Sequence, residues 1–397
     1  MRALRTCSRL FTTVVVCLLS SVAVVTTVAA QTIASGKWEI ELHSGGLLPP
    51  NSAGGMVSLP APGGSFTTAG IYPPPAPPVI VVATSRRESS WYFGDGAVLF
   101  NQAATALAAN PLAMTGAFAG RMVSLDPVLG SAFGTERRTG SIGARVSRQL
   151  TPRLSAELSA DYGLAGLEIT PANRQSIEAT RASFIAAFNG LITSNPGRTL
   201  KSLTSTAALD DGSAHQLFTS GALVVNLMTR GPIVPYVTAG AGLNAIMGTL
   251  PNVTLKGNYQ FQNASGSQIN ESDNVTVTDA RGRRSAAAIL GGGLKYHVSP
   301  RWGVRFDARV SLSKNSAATI LDASPNVVLG TLPAGRLALN SDPTIQFDNS
   351  TDPVTSLGVT AVSPSTLSGP PITGLRTLSG SGVTGHGNIT AGLFWRF

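Results

Sequence analysis

Charged side chains of both signs recur at alternate positions along several segments of this sequence. Arg305, Asp307 and Arg309 occupy every second position of one segment, and the residues between them are apolar. Because successive side chains of a β-strand point to opposite faces, this spacing puts the three charges on one face of a strand. The same pattern elsewhere gives ten residues for such a face: Glu39, Glu41, Arg145, Glu157, Asp161, Lys295, Arg305, Asp307, Arg309 and Arg396.

The chemistry that these ten residues favour is ion pairing rather than catalysis. They comprise five acids and five bases, and charges that are removed from water must be paired. We therefore predict a face of buried and mutually neutralised charges. A narrow ion path lined by the same side chains is the alternative, and electrical conductance distinguishes the two.

The sequence offers no convincing motif for catalysis, for a cofactor or for a metal. His297 and Ser299 have the spacing of a base and a nucleophile on one strand face, but they fall at a short turn. His43, His215 and His386 are scattered, and the sequence contains neither HExxH nor Gly-x-Ser-x-Gly. The sequence therefore predicts a protein that is not an enzyme and that uses no cofactor and no metal.

Strands must position the ten charges. Period-two alternation predicts eight of them, near residues 36–46, 139–149, 153–165, 215–228, 233–247, 284–298, 301–313 and 383–397. The second face of these strands is apolar. Charge at three successive positions of the polar face indicates the interior of a barrel whose outer, apolar face meets lipid. The pattern leaves open which way Tyr236 points.

The connections between these strands alternate in length. Short turns lie at 150–152, 229–232 and 298–300, and long loops lie at about 47–138, 166–214, 248–283 and 314–382. Outer-membrane barrels have short periplasmic turns and longer extracellular loops. The predicted fold is therefore all-β: an eight-stranded antiparallel up-and-down transmembrane β-barrel with long extracellular loops that contain short helices.

The N-terminal segment has the features of a secretory signal peptide. Arg2, Arg5 and Arg9 precede an apolar run, and small residues follow at Val28-Ala29-Ala30. We predict that residues 1–30 are cleaved and that 31–397 form the barrel; a single membrane anchor is the alternative. Both cysteines, at positions 7 and 17, lie in the predicted signal peptide, so the mature chain would contain none.

The composition narrows the function classes. Only 12% of the residues are charged, and the formal net charge is +9. The bases are spread along the chain and form no single basic face, which argues against nucleic-acid binding. No stretch after residue 30 is long and apolar enough to be a transmembrane helix.

Three strand segments resemble small bacterial outer-membrane barrels of the OmpA, OmpX and opacity-protein kind. They are 235–242 (PYVTAGAG), 291–305 (GGGLKYHVSPRWGVR) and 392–397 (GLFWRF). The resemblance implies a multi-pass barrel in the outer membrane, surrounded by its lipid. Leu393, Trp395 and Phe397 are similar to the C-terminal signal by which the barrel assembly machinery recognises its clients. Such a family implies fold and location and not one activity.

The long loops carry weaker signals. Apolar residues recur at near-helical spacing between Arg174 and Ile192, which predicts a helix that caps the barrel mouth, with a partner-binding helix as the alternative. The first loop contains a polyproline stretch at 72–78 and a helix-like run at 97–109; it either folds over the mouth or binds an extracellular ligand. Residues 254–261 and 274–278 are predicted to extend strands five and six as a hairpin.

These observations leave three hypotheses for function. The first is a structural, envelope-integrity or surface-interaction protein whose interior is plugged by charged side chains. The second is a small-solute, porin-like channel. The third, an outer-membrane enzyme, is disfavoured because no catalytic constellation falls at the loop side.

Overall fold

The computed structural model describes most of the chain after residue 35. The described residues are 36–48, 55–59, 66–68, 79–81, 92, 98–101, 117–121, 123–137, 139–164, 166–193, 198–263, 266, 268–329, 345–347, 353–356, 359–362 and 372–397. The predicted signal peptide and the polyproline stretch lie outside these residues.

The described elements are mainly strands. In chain order they are β1 (Trp38–Leu48), β2 (Met56–Val57), β3 (Phe66–Thr68), β4 (Val79–Val81), β5 (Val98–Asn101), β6 (Ala117–Arg121), α1 (Asp126–Leu129), β7 (Gly134–Glu136), β8 (Thr139–Gln149), β9 (Leu154–Gly163), β10 (Leu167–Ile169), α2 (Pro171–Thr193), β11 (Arg198–Asp210), β12 (His215–Asn226), β13 (Ile233–Met247), β14 (Asn252–Asn263), β15 (Gln268–Asp279), β16 (Arg284–His297), β17 (Trp302–Leu329), β18 (Ile345–Phe347), β19 (Pro353–Ser356), β20 (Val359–Val362) and β21 (Ile372–Arg396).

Antiparallel pairing connects a set of strands, which we call the ring. It runs β1–β8–β9–β12–β13–β16–β17–β21 and returns from β21 to β1. These strands match the predicted segments to within two residues, except that β17 and β21 continue far beyond residues 313 and 383. The ring closes unevenly, because β21 pairs with β1 over 39–48 but with β17 over 302–323.

The sheet has twelve strands, so the predicted count of eight is too low. Its order is β11-β14-β15-β17-β16-β13-β12-β9-β8-β1-β21-β2. The four strands outside the ring, β2, β11, β14 and β15, come from segments that were predicted to be loops. With the upper parts of β17 and β21 they form a second region of sheet, which we call the cap sheet.

Residues 254–261 and 274–278 were predicted to extend the fifth and sixth ring strands, β13 and β16, but the hairpin β14–β15 that contains them does not do so. Instead, β14 pairs with β11, and β15 pairs with the upper part of β17. The chain leaves the line of β13 at Gly248, which has a φ of +98° and whose position would put a Cβ 2.3 Å from the Ser213 carbonyl oxygen. Only glycine fits that backbone without strain.

The same face of β17 points inward along its whole length, but the polarity of its two faces reverses. From Trp302 to Leu312 the outward side chains are apolar and exposed, whereas the inward ones include the buried Arg305, Asp307 and Arg309. Beyond residue 313 the outward positions begin with the exposed Lys314, and the inward positions reach Leu321, which is fully buried. One continuous strand therefore has a polar interior at one end and an apolar interior at the other.

The apolar interior of the cap sheet is filled by α2. Thr170 caps the helix, because its Oγ1 accepts a hydrogen bond from the backbone N–H of Asn173 at 3.1 Å, and Pro171 occupies the first turn. The helix packs against β11 and β14. It was predicted to lie across the mouth of the ring, and it does not. With α1 and the inward residues of the cap sheet it forms the cap core, whose buried members include Tyr92, Val128, Leu129, Phe133, Ile177, Phe184, Phe188, Ile192, Val253, Leu255, Tyr259, Phe261, Val275, Val277 and Leu321.

Two further expectations for the loops are decided by the described elements. The helix-like run at 97–109 contains a strand at Val98–Asn101, and its remainder lies outside the described residues. Neither α1 nor α2 combines the length and the apolar composition that a bilayer-crossing helix needs.

Candidate functional site

The structure places all ten predicted charged residues on the inward face of the ring. Nine of them are at most 7% exposed, and Arg396, at the short-turn end of the ring, is half-buried. We call this set the charged interior. Its members come from six ring strands, β1, β8, β9, β16, β17 and β21.

The lower part of the charged interior, beside the short turns, centres on Glu39. Lys295 Nζ lies 2.5 Å from one carboxylate oxygen of Glu39, and an Arg396 nitrogen lies 3.2 Å from the other. Strands β1, β16 and β21 are thereby joined across the ring.

The middle part is a network of three acids and three arginines. Arg305 lies 3.1 Å from Glu41 and 2.6 Å from Glu157. The remaining contacts are Arg145–Glu41 at 2.9 Å, Arg145–Asp307 at 2.9 Å, Arg309–Glu157 at 2.5 Å and Arg309–Asp307 at 2.5 Å. Each acid therefore has at least two arginine partners, which offsets the large cost of burying its charge.

Tyr236, whose direction the sequence left open, points inward and joins this network. Its hydroxyl donates to Asp307 at 2.6 Å and accepts from Arg305 Nε at 2.7 Å. Gly293 on the neighbouring strand makes room for the Tyr236 side chain, since a Cβ there would lie 2.4 Å from the Tyr236 oxygen. Tyr236 is therefore not part of an outer aromatic belt.

The upper part of the charged interior contains a histidine that sequence reasoning missed. Asp161 contacts His43 Nε2 at 2.7 Å and accepts a hydrogen bond from Asn388 at 3.3 Å. Gly143 leaves space for the imidazole, because a Cβ there would lie 2.4 Å from His43 Nε2. The available signal was positional: His43 continues the alternation of Glu39 and Glu41 along β1.

The residues weighed for catalysis are not assembled into a site. His297 packs edge-on against Phe394 at 5.2 Å, while the Ser299 hydroxyl accepts hydrogen bonds from the backbone of its own turn. His215 stacks on Tyr162 at 5.5 Å. Within the described ranges, no three His, Cys, Asp or Glu side chains are arranged to hold a metal ion.

The three residues of the predicted assembly signal lie on the outward face of the last strand. Leu393 pairs with Leu42 and Trp395 with Ile40, and the backbone of Phe397 exchanges hydrogen bonds with Trp38. All three side chains are exposed.

Above the charged interior lie three adjacent cavities of about 80, 40 and 20 Å³. Their lining combines apolar surface with polar side chains, among them Asn244, His386 and Asn388. Asn244 is buried, and its Oδ1 has no hydrogen-bond partner in the described part of the chain. Cavities of this size are large enough for ordered water where polar groups line them. The cavities end at the layer of Arg309 and Asp161.

A short segment, Ser131–Glu136, lies over these cavities and is called the latch. Glu136 Oε2 lies 3.2 Å from His386 Nε2, and Arg281 donates to the Gly134 carbonyl oxygen at 2.7 Å. Thr319 donates to the Ser131 carbonyl oxygen at 3.0 Å. We call the cap sheet, the cap core and the latch together the cap. Within the cap, the latch, rather than α2, therefore covers the ring interior.

The latch should loosen in acid. Burial opposes ionisation of Glu136, but the hydrogen bond and charge of His386, with Arg281 nearby, hold its pKa below the ordinary value of 4.5. A carboxyl whose pKa is lowered by folding stabilises the fold above the unfolded pKa and loses that effect as the pH falls through the folded pKa. We expect a nitroxide attached at Arg137→Cys to gain mobility as the pH is lowered below 4.5.

The matched control is the same labelled protein with Glu136→Gln. Its nitroxide should already be mobile at neutral pH and should change little on acidification. Equal pH responses of the two proteins would contradict a role for Glu136 in holding the latch.

Comparisons with known proteins identify neither a family nor a function for this chain. No protein-family model matches the chain, and no similar protein was found among curated proteins. Among solved structures, the outer membrane protease OmpT from Escherichia coli aligns over 94% of this chain and 99% of its own, with 8% identity and a TM-score of 0.23. The P. putida toluene transporter TodX aligns over 91% and 90%, with 12% identity and a TM-score of 0.18. These TM-scores are too low to assign either fold or function to this chain.

Proposed function

We propose that this protein is a bacterial outer-membrane β-barrel whose eight-stranded ring spans the membrane and whose cap stands outside the cell. Its role is structural or surface-interacting: it anchors a folded cap on a plugged barrel. The observation that carries the proposal is the reversal of face polarity along β17: its outer face is apolar and exposed from Trp302 to Leu312, and such a continuous apolar surface is stable where lipid covers it.

The outward face of the ring supports a lipid environment. Its exposed apolar side chains include Ile40, Leu42, Ile142, Leu158, Leu223, Val237, Leu243, Leu290, Phe306, Val310, Ile389 and Leu393. Each such side chain left in water would forgo about 1.5–3 kcal/mol of burial free energy. A patch that encircles a protein is far larger than the apolar patches of soluble monomers.

The height of this apolar band fits a membrane. The apolar outward run of β17 extends from Trp302 to Leu312, which is about 34 Å along a strand. A tilt of about 40° reduces this to about 26 Å, close to the apolar band of about 25 Å in outer-membrane barrels. The signal peptide and the C-terminal residues Leu393, Trp395 and Phe397 fit export and insertion by the barrel assembly machinery.

Refolding into lipid vesicles tests the proposal. The mature chain, residues 31–397, should migrate faster on a gel when folded than after boiling, and protease should spare the ring strands. A chain that stays soluble and bound to no vesicle would refute the membrane assignment.

A small-solute channel is the second candidate, and the cavities above the charged interior favour it. The middle network separates them from the short-turn end, so we expect no steady conductance in planar bilayers. A steady large conductance of the unaltered protein would replace the plugged barrel with the channel.

A further inference from the structure

The short-turn end of the ring carries exposed basic side chains, which we call the basic rim. Its members are Lys37 before β1, Arg148 and Arg153 around the β8–β9 turn, Arg230 in the β12–β13 turn and Arg301 in the β16–β17 turn. The surrounding segments 36–37, 147–153, 226–232 and 297–301 contain no Asp or Glu. The nearest acid on β1, Glu39, is buried and paired with Lys295 and Arg396.

The basic rim lies just beyond a cluster of tryptophans on three neighbouring ring strands, β17, β21 and β1. Trp38, Trp302 and Trp395 are 40–46% exposed at the ends of their strands. The Arg148 guanidinium lies 5.5 Å from the centre of the Trp38 ring. Tryptophan side chains favour the membrane–water interface. Since the three turns are short, their bases stay within the layer of lipid headgroups.

The distribution of the bases favours lipid over a protein partner. Bases occur in every short turn and at the start of β1, so they surround the barrel instead of forming a patch on one side. At the other end of the apolar band, the exposed bases are Arg283, Arg284 and Lys314 on β16, β17 and the turn before them, and Arg137 before β8, which lies 3.4 Å from Glu168. Val383 and Leu48 are exposed at that end of β21 and β1.

We propose that the basic rim binds the phosphate groups of anionic phospholipids in the leaflet around the short-turn end. This inference rests on the proposed membrane barrel. Arginine and lysine hold phosphate by charge and by N–H donors, and each basic side chain at a membrane surface attracts anionic lipid by about 1 kcal/mol.

Fluorescence quenching can measure this lipid preference. The mature protein with Trp91→Phe retains Trp38, Trp302 and Trp395, which all lie beside the basic rim. It is folded into phosphatidylcholine vesicles that contain either brominated phosphatidylglycerol or brominated phosphatidylcholine. We expect brominated phosphatidylglycerol to be preferred about fivefold at low salt, which corresponds to about 1 kcal/mol. The preference should shrink in 1 M salt, where the screening length is only about 3 Å.

Two variants of equal charge change identify the source of the preference. The rim variant combines Lys37→Gln, Arg153→Gln, Arg230→Gln and Arg301→Gln, and it keeps Arg148 because that side chain packs over Trp38. The control variant combines Arg283→Gln, Arg284→Gln and Lys314→Gln at the other end of the band with Lys256→Gln in the cap sheet. The preference should fall towards unity in the rim variant and persist in the control.

The outcomes separate this inference from the proposed function. Equal quenching by both lipids in the unaltered protein, or a preference that survives in the rim variant, overturns the lipid site but leaves the membrane barrel intact. Binding of an acidic protein to the rim without any lipid preference overturns it as well. No quenching by either lipid would mean that the chain does not insert, which refutes the membrane barrel itself.

Discussion

Replacing Arg305 with methionine is expected to lower the free energy of unfolding by about 3–5 kcal/mol. Arg305 is 1% exposed and bridges Glu41 and Glu157 in the middle of the charged interior. Methionine fills a similar volume but supplies no charge, so both carboxylates lose a partner while remaining out of water. The measurement is the urea midpoint of the vesicle-folded protein, followed by its shift in gel migration.

Two controls define what this change means. Arg284→Met removes an exposed arginine from the neighbouring strand β16 and should change stability by less than about 0.5 kcal/mol. Combining Arg305→Met with Glu157→Gln removes one of the two acids that lose a partner and should recover part of the loss. If Arg305→Met is as stable as the Arg284 variant, the charged interior contributes nothing to holding the ring together.

The charged network explains how the interior of the ring can be polar and still be filled. In a barrel of about eight strands the interior is just wide enough to be filled by side chains. Here the filling is done by three arginines that each contact two acids, together with Tyr236 over the glycine at position 293. Replacing Arg305 with methionine therefore keeps most of the volume but takes away charge pairing in the middle of the proposed barrier.

The ring strands could be predicted from the sequence because their two faces differ so clearly. The alternation in β1, β8, β9, β13 and β16 set their ends to within two residues. The cap sheet follows the same period, since Val253, Leu255, Tyr259 and Phe261 alternate with polar residues in β14. The place of these strands in the fold could not be predicted, because an apolar face alone does not show whether it contacts lipid outside or a helix inside.

Other features depended on contacts that no local pattern contains. The pairing of β11 with β14 joins residues far apart in the chain, and it is favoured by the apolar face of α2 that both strands cover. The inward direction of Tyr236 depends on Gly293 on another strand. Asp161 was expected among lysine and arginine partners, but the side chains that reach it are His43 and Asn388.

The cap core should be the weak point of the part of the protein beyond the ring, and Phe184→Ala should expose it. Phe184 is fully buried in α2 and stacks between Tyr92 at 5.6 Å and Phe188 at 4.4 Å. Removing a buried phenylalanine ring costs about 3–5 kcal/mol because of the lost burial and the cavity that remains. We expect the cap to become sensitive to protease at low urea, while the ring keeps its gel shift.

Phe306→Ala is the matched control, since Phe306 points outward from the ring and is 42% exposed. This change should leave the protease resistance of the cap unaltered. The reason is the reversal along β17: Phe306 lies in the part whose outer face is apolar, and the cap core contacts only the inward face of the part beyond residue 313. If Phe184→Ala instead unfolds cap and ring together, the two interiors form one cooperative unit and the reversal along β17 marks no boundary in stability.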